Sequence, residues 1–246
     1  MLLGLIFRGV AFEFRWRDPA HRAFWDAGFF GGSLVAALSQ GIILGAVLQG
    51  IDIDIPARSY AGGWWDWLTP FSLITGLSVV IGYGLLGATW LIMRTEGALQ
   101  AKVRGYARWF AALMLVAIAV VSGATPYLQH GYFERWFDWP RVLYTAQVPL
   151  LVAVTAVALY FALKHKRERW PFLLSLLLFA LTFVGLGISL YPYIVPDHVT
   201  IWEAAAPESS QIFMLVGAAI LIPVILAYTG YAYWVFRGKV GHEGYH

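Results

Sequence analysis

Few residues in this 246-residue chain can do chemistry, and their positions narrow what that chemistry can be. Two charged features stand out. Arg8 and Glu13 lie within residues 7–15, FRGVAFEFR, with the acid set between Phe12 and Phe14. Glu203 lies in a long segment, residues 191–211, YPYIVPDHVTIWEAAAPESSQ. Ionisable groups set against an apolar phase mark ion paths, proton relays or cofactor sites. The plainer reading of Arg8 and Glu13 is an ion pair at a helix end, with the long arginine reaching out to headgroups. The prolines, aromatics and alanine run around Glu203 predict an ordered loop lying back on a membrane surface.

The ligand census is short. Of six histidines, only His130 falls in a long uncharged stretch, and it falls at its end; His21, His165, His198, His242 and His246 lie in loops or the tail. A membrane haem needs an axial His or Met facing inward from a helix. The methionines Met1, Met93, Met114 and Met214 read as packing residues. With no cysteine, disulfides, thiolate metal sites, iron–sulfur clusters and thiol nucleophiles are excluded together. There is no phosphate loop, Rossmann glycine pattern, His-Glu-x-x-His or Gly-x-Ser-x-Gly. The expectation is a chain that holds no haem or metal itself, with no catalytic centre of its own.

The elements that must position these residues follow from composition. Hydrophobic residues make up 60% of the chain and charged residues only 13%, about half the charge of a soluble protein. Six uncharged intervals are each long enough for a membrane helix, which takes about 20 apolar residues. The reading is an all-α, polytopic transmembrane bundle forming a single membrane domain over 1–246. Its spans lie near 28–48, 70–92, 109–129, 142–163, 171–191 and 211–236, with an N-terminal partial helix before them. Pro70, Pro140 and Pro171 fall at helix starts, whereas Pro149 and Pro223 predict kinks within spans. Residues 1–7 are too few to span and lack a leader's cleavage site, so a chain that starts late or is truncated is expected.

Sorting charges by loop orients the bundle. Fourteen of the 17 lysines and arginines fall on one side, leaving Arg58, Arg135 and Arg141 on the other with eight of the 14 acids. By the positive-inside rule the basic side, with the C-terminus, is cytoplasmic. Tryptophans and tyrosines gather near the span ends as an aromatic belt, where a quinone headgroup could also rest. Gly28, Gly32, Gly41 and Gly45 have the spacing of close helix contacts, and Gly82, Gly84 and Gly87 cluster in the next span. Gln40, Ser78, Tyr83, Gln147 and Thr182 are expected to hydrogen-bond between helices. Nucleic acid binding is set aside, since the aromatics lie in apolar segments rather than beside basic patches.

Three blocks carry a resemblance: FRGVAFEFR with FWDAGFFGGSLVAALSQGIILGAVLQG (24–50), then WLTPFSLITGL (67–77) with MRTEGALQ (93–100), and the fifty-residue run from SLYPYIVPDHVTIWEAAAPESSQ to WVFRGKV (189–240). Together they resemble subunit II of the bacterial cytochrome bd quinol oxidases, including the cyanide-insensitive branch. The resemblance implies a haem-free helical subunit in the bacterial inner membrane, paired with a similar subunit I that carries haems b and d, with a small accessory subunit as a further partner. It implies ubiquinol or menaquinol as electron donor, dioxygen reduced to water, and cytoplasmic proton uptake that generates proton-motive force without pumping. It places Arg8 and Glu13 on the cytoplasmic proton route. Tyr191, Pro192, Pro196, Trp202, Glu203 and Pro207 carry the signature of the outer loop. Family members begin with further helices, to which nothing here corresponds. The competing reading is a polytopic transporter, which discontinuous helices at corresponding places in two halves would favour.

Overall fold

A computed structural model describes residues 1–54, 56 and 59–239; Arg58, His242 and His246 lie outside them. The chain runs α1 (Leu2–Arg17), α2 (Arg22–Gln49), α3 (Pro70–Arg94), α4 (Gly97–Ala124), α5 (His130–Phe137), α6 (Val142–Thr145), α7 (Gln147–Lys164), α8 (Trp170–Leu190) and α9 (Glu208–Val235). Two small antiparallel hairpins interrupt it, β1 (Ile53–Asp54) with β2 (Ser59–Tyr60) and β3 (Tyr193–Val195) with β4 (Val199–Thr200). Six helical stretches are long and apolar enough to cross a membrane, and all six correspond to expected spans.

Small residues set the helix spacing, because within lipid association relies on close packing rather than on escape from water. A Cβ on Gly32 would stand 2.6 Å from the Gly4 carbonyl oxygen, so α1 and α2 cross with their backbones touching. Along the next seam, Gly41 faces Gly76 Cα and Gly45 faces Ser72 Cα, each 2.6 Å from where a Cβ would sit. The expected close contacts at Gly28, Gly32, Gly41 and Gly45 are therefore present. Gly82 and Gly84 receive the rings of Phe179 and Phe110, whereas Gly87 has open space. The core lies among α3, α4, α7 and α8, built from Leu85, Ile92, Ala107, Met114, Leu159 and Leu178.

Several boundaries differ from the sequence expectation, at the first two because charge marks where hydrocarbon ends, not where a helix ends. The apolar stub continues through Arg8 and Glu13 into a 16-residue helix. Helix α4 starts at Gly97, 12 residues before its expected span, carrying Lys102, Arg104 and Arg108 as helical residues. The third span stops at Ala124, passes through a 3₁₀ turn at Thr125–Tyr127 containing Pro126, and is followed by α5 instead of continuing to Gln129. The fourth span is broken at Ala146 into α6 and α7, since Pro149 cannot donate to the carbonyl of Thr145. Pro223, by contrast, sits within an unbroken α9.

Of the polar residues expected to bond between helices, Tyr83 and Gln40 do so, the tyrosine hydroxyl donating to Gln40 Oε1 at 2.7 Å. Ser78, Gln147 and Thr182 instead donate to carbonyls of their own chain segment three or four residues back. The short hydroxyl side chains of Ser78 and Thr182 find that acceptor without requiring a neighbouring helix. Every buried side-chain nitrogen or oxygen among the described residues has a partner.

Helix α9 differs from the rest. None of its residues is buried, and it is apolar all round. It is fastened near its C-terminus, where Arg94 Nη1 donates to the carbonyls of Phe236 (2.6 Å) and Gly238 (2.7 Å) and Tyr233 stacks edge-on against Trp90.

Candidate functional site

Helix α1 carries both residues of the expected proton route, and it keeps them apart. Five residues along a helix turn the chain through about 140°, so Arg8 and Glu13 point in different directions. The Arg8 guanidinium lies 5.2 Å from the centre of the Phe29 ring. Glu13 pairs instead with Arg17 one turn on, at 3.1 Å, and its side chain is 63% exposed. An Arg8–Glu13 ion pair does not form. The segment is held by other means: an Arg15–Asp26 ion pair joins α1 to α2, and Phe12 and Phe14 meet Phe29 and Trp25.

The segment 191–207 is ordered, as its composition predicts. The β3–β4 hairpin turns through Asp197, whose φ is 59°, and Pro196 beneath it is fully buried. The carbonyl of Pro192 accepts from Ile201 at 2.9 Å, and Tyr191 meets Trp202 edge to face. Glu203 accepts from the amide and the hydroxyl of Thr200, both at 2.8 Å, and these bonds hold its carboxyl below the usual glutamate range. It is thus engaged in closing its own turn. The Pro207 carbonyl then receives the amides of Ser210 and Gln211, starting α9.

What the sequence reading missed is the hub that clamps this loop. Arg135 on α5 has a side chain only 14% exposed; it donates to the carbonyl of Ser189 and faces Asp197 at 3.9 Å. The rings of Tyr132 and Tyr193 flank its guanidinium at 5.6 and 5.0 Å. Trp136 donates to Ser189 Oγ at 2.9 Å, and the fully buried Tyr132 donates to the carbonyl of Leu48 at 2.9 Å. The available signal was Arg135 itself, one of three cations on an otherwise acidic side.

A second cluster closes the basic end. Lys239 reaches Glu96 at 3.0 Å and Glu168 at 2.9 Å, and Gln100 donates to Glu168 at 3.2 Å. The bonds from Lys239 and Gln100 hold the Glu168 carboxyl below its ordinary range. Arg104, buried on α4, donates to the Arg167 carbonyl at 3.0 Å.

Neither cluster has the chemistry of a haem seat. His21 is bonded to Asp18, His165 to the Phe161 carbonyl at the end of α7, and His198 lies in the β3–β4 turn. Met114 is packed in the core among α3, α4, α7 and α8. Among the described residues no three His, Cys, Asp or Glu converge on a point that could hold a metal.

Comparison with known proteins decides the family. The family model for cytochrome bd terminal oxidase subunit II matches residues 1–236. The chain belongs to that family. Its relatives include the cytochrome bd-I ubiquinol oxidase subunit 2 of Escherichia coli, 28% identical over 282 residues, covering 99% of this chain and 73% of that protein. The cytochrome bd ubiquinol oxidase subunit 2 of Bacillus subtilis is 26% identical over 251 residues, covering 99% and 72%. The solved bd oxidase of Geobacillus thermodenitrificans superposes with a TM-score of 0.76 at 20% identity, over 97% of this chain and 72% of that one. A bd oxidase subunit II is thus a multi-pass membrane protein in this structure, and the transporter reading falls. Its expected mark, paired helix breaks in two halves, is missing too among the described residues: α6–α7 breaks at Ala146, but α9 continues through Pro223.

Proposed function

We propose that the chain is the haem-free subunit of a bd-type quinol:oxygen oxidoreductase. In this reading a haem-bearing subunit I is its partner, with a small accessory subunit as a further candidate. The complex takes electrons from ubiquinol or menaquinol, reduces dioxygen to water and draws the protons from the cytoplasm, so that turnover generates proton-motive force. The observation that carries the reading is the family match across residues 1–236. The haem would supply the redox chemistry of such a complex, and this chain's own residues are read as serving assembly and proton delivery.

The chain's own contribution lies in α1. With the basic end facing the cytoplasm, Glu13 stands at that side with its carboxylate on Arg17 and open to water. In this reading Glu13 marks the cytoplasmic mouth of the proton route, with Arg8 on the same helix. Glu13→Gln in the assembled complex is expected to slow quinol-driven oxygen uptake while haem content, read from the reduced-minus-oxidised spectrum, stays constant. Unchanged turnover would reduce Glu13 to a topological charge. A purified native complex without haem absorption would defeat the oxidase reading itself.

A further inference from the structure

The turn between α7 and α8 is built to concentrate positive charge beside an apolar slot. Helix α7 ends in a Schellman motif: Arg167 N–H donates to the Ala162 carbonyl at 3.0 Å and Lys166 N–H to the Leu163 carbonyl, with Lys166 in the left-handed region at φ 54°. That closure lets α8 begin at Trp170, so Lys164, Lys166, Arg167 and Arg169 crowd into six residues with His165 among them. It also consumes the last carbonyls of α7, removing partial negative charge from the site.

The acid in this turn does not neutralise them. Glu168 is taken by Lys239 and Gln100, and among the described residues no carboxylate pairs with Lys164, Lys166, Arg167 or Arg169. Buried Arg104 stands directly behind the turn, donating to the Arg167 carbonyl, with Glu168 as its opposing charge.

Beneath this rim a groove of about 410 Å³ opens between α7 and α8. Ala158, Ala162 and Leu174 form its floor, Phe161 and Trp170 its half-exposed walls, and His165 and Arg167 its mouth. Small residues leave the recess, aromatics line it, and cations stand only at the end facing water. That is the shape and polarity of one phospholipid: an acyl chain on the apolar floor and a phosphodiester at the rim.

We infer that the α7–α8 groove binds an anionic phospholipid of the cytoplasmic leaflet, its phosphate held at the mouth by Arg167 beside His165, within the field of the turn's neighbouring cations, and its acyl chain lying on Phe161, Ala158 and Leu174. The leaflet rests on the orientation proposed above; the binding itself does not depend on quinol oxidation. Charge complementarity selects this occupant: an apolar peptide would leave the cations unmatched, and a zwitterionic lipid would present its own cation to them.

The test uses the full chain, purified with its accompanying subunits and placed in phosphatidylcholine nanodiscs. These carry traces of phosphatidylglycerol or phosphatidylcholine with a photoactivatable acyl chain, and cross-linked peptides are mapped by mass spectrometry. The phosphatidylglycerol probe should label residues 158–174 in excess, and unlabelled phosphatidylglycerol should compete it away while inorganic phosphate does not. At about fivefold per cation near a charged surface, Arg167→Gln with Arg169→Gln should reduce labelling about 25-fold. Ala158→Phe should reduce it by filling the slot with every charge retained, and Lys102→Gln, on the same end of the bundle, should leave it unchanged. Equal labelling by both probes, insensitivity to the paired arginine change or to Ala158→Phe, an equal fall in Lys102→Gln, or displacement by inorganic phosphate alone would overturn the inference. Labelling needs neither haem nor turnover, so its failure and that of the oxidase reading are separable.

Discussion

The seam between α2 and α3 makes the sharpest stability prediction, through a pair of glycine-to-alanine changes of opposite sign. A Cβ added at Gly41 would stand 2.6 Å from both Gly76 Cα and the Thr75 carbonyl oxygen, and 2.9 Å from Val79 Cγ2. Carbon atoms pack comfortably at about 3.5 Å, so the helices must part locally by about 0.9 Å. Two of the three obstacles are backbone, which has no rotamer to yield. Parting would also loosen Gly45 from Ser72 and Gly76 from Leu38 on the same seam. Overpacking of this kind costs about 1–3 kcal/mol. Gly87 sits one helix over with nothing within 4 Å of its added Cβ, so alanine there should stabilise by up to about 1 kcal/mol through helix propensity. Gly41→Ala and Gly87→Ala are therefore expected to differ by about 1–4 kcal/mol. Equilibrium unfolding of the purified protein in mixed micelles, followed by helicity, measures the gap. Equal stabilities, or a Gly87→Ala variant destabilised as much as Gly41→Ala, would refute the reasoning that contact distance rather than glycine content governs this bundle.

Two further outcomes concern the acidic end. Arg135→Met should cost about 1.5–3 kcal/mol, leaving the Ser189 carbonyl without its charged donor, and should speed hydrogen exchange across residues 191–207; unchanged exchange there would show that the hairpin holds without Arg135. Burial pushes the Tyr132 hydroxyl up to about 12, so folding favours its neutral form. The resulting stability is complete below pH 10 and is lost as pH rises from 10 to 12, by about 2–3 kcal/mol. Over that range the wild-type protein should lose its stability margin over Tyr132→Phe, as read by unfolding at pH 9 and pH 11.5; a constant margin would contradict the burial of the phenol.

The spans were legible because hydrocarbon imposes its length on the sequence and leaves few charges inside it. The glycine seams were legible for a related reason: Gly28, Gly32, Gly41 and Gly45 recur at the helical contact spacing and each meets a neighbour. Helix ends were harder to read. Lys102, Arg104 and Arg108 are good helix formers, so α4 continues through residues that mark the edge of the lipid. The break at Ala146 follows from Pro149, yet an equally interior Pro223 leaves α9 whole, and nothing in the local sequence separates the two. The candidate site was the least legible part. Arg8 and Glu13 were found as neighbours in sequence, but helical rotation sends them apart and gives them Phe29 and Arg17. Arg135 assembles its surroundings from α5, α8 and β3, and a contact across 54 residues, such as that to Ser189, leaves no periodic trace.

The end of α2 carries one more consequence, for the order in which the molecule matures. Its last carbonyls, those of Leu48 and Gln49, are taken by Tyr132 and Gln129, which follow 84 and 80 residues later. During synthesis α2 therefore emerges and crosses the lipid well before the groups that finish it exist, with water at the membrane boundary as interim donor. The basic end can set as its tight turns appear. The opposite end must wait for α5, making it the last part of the first helices to mature and the place where a stalled chain would remain unfinished.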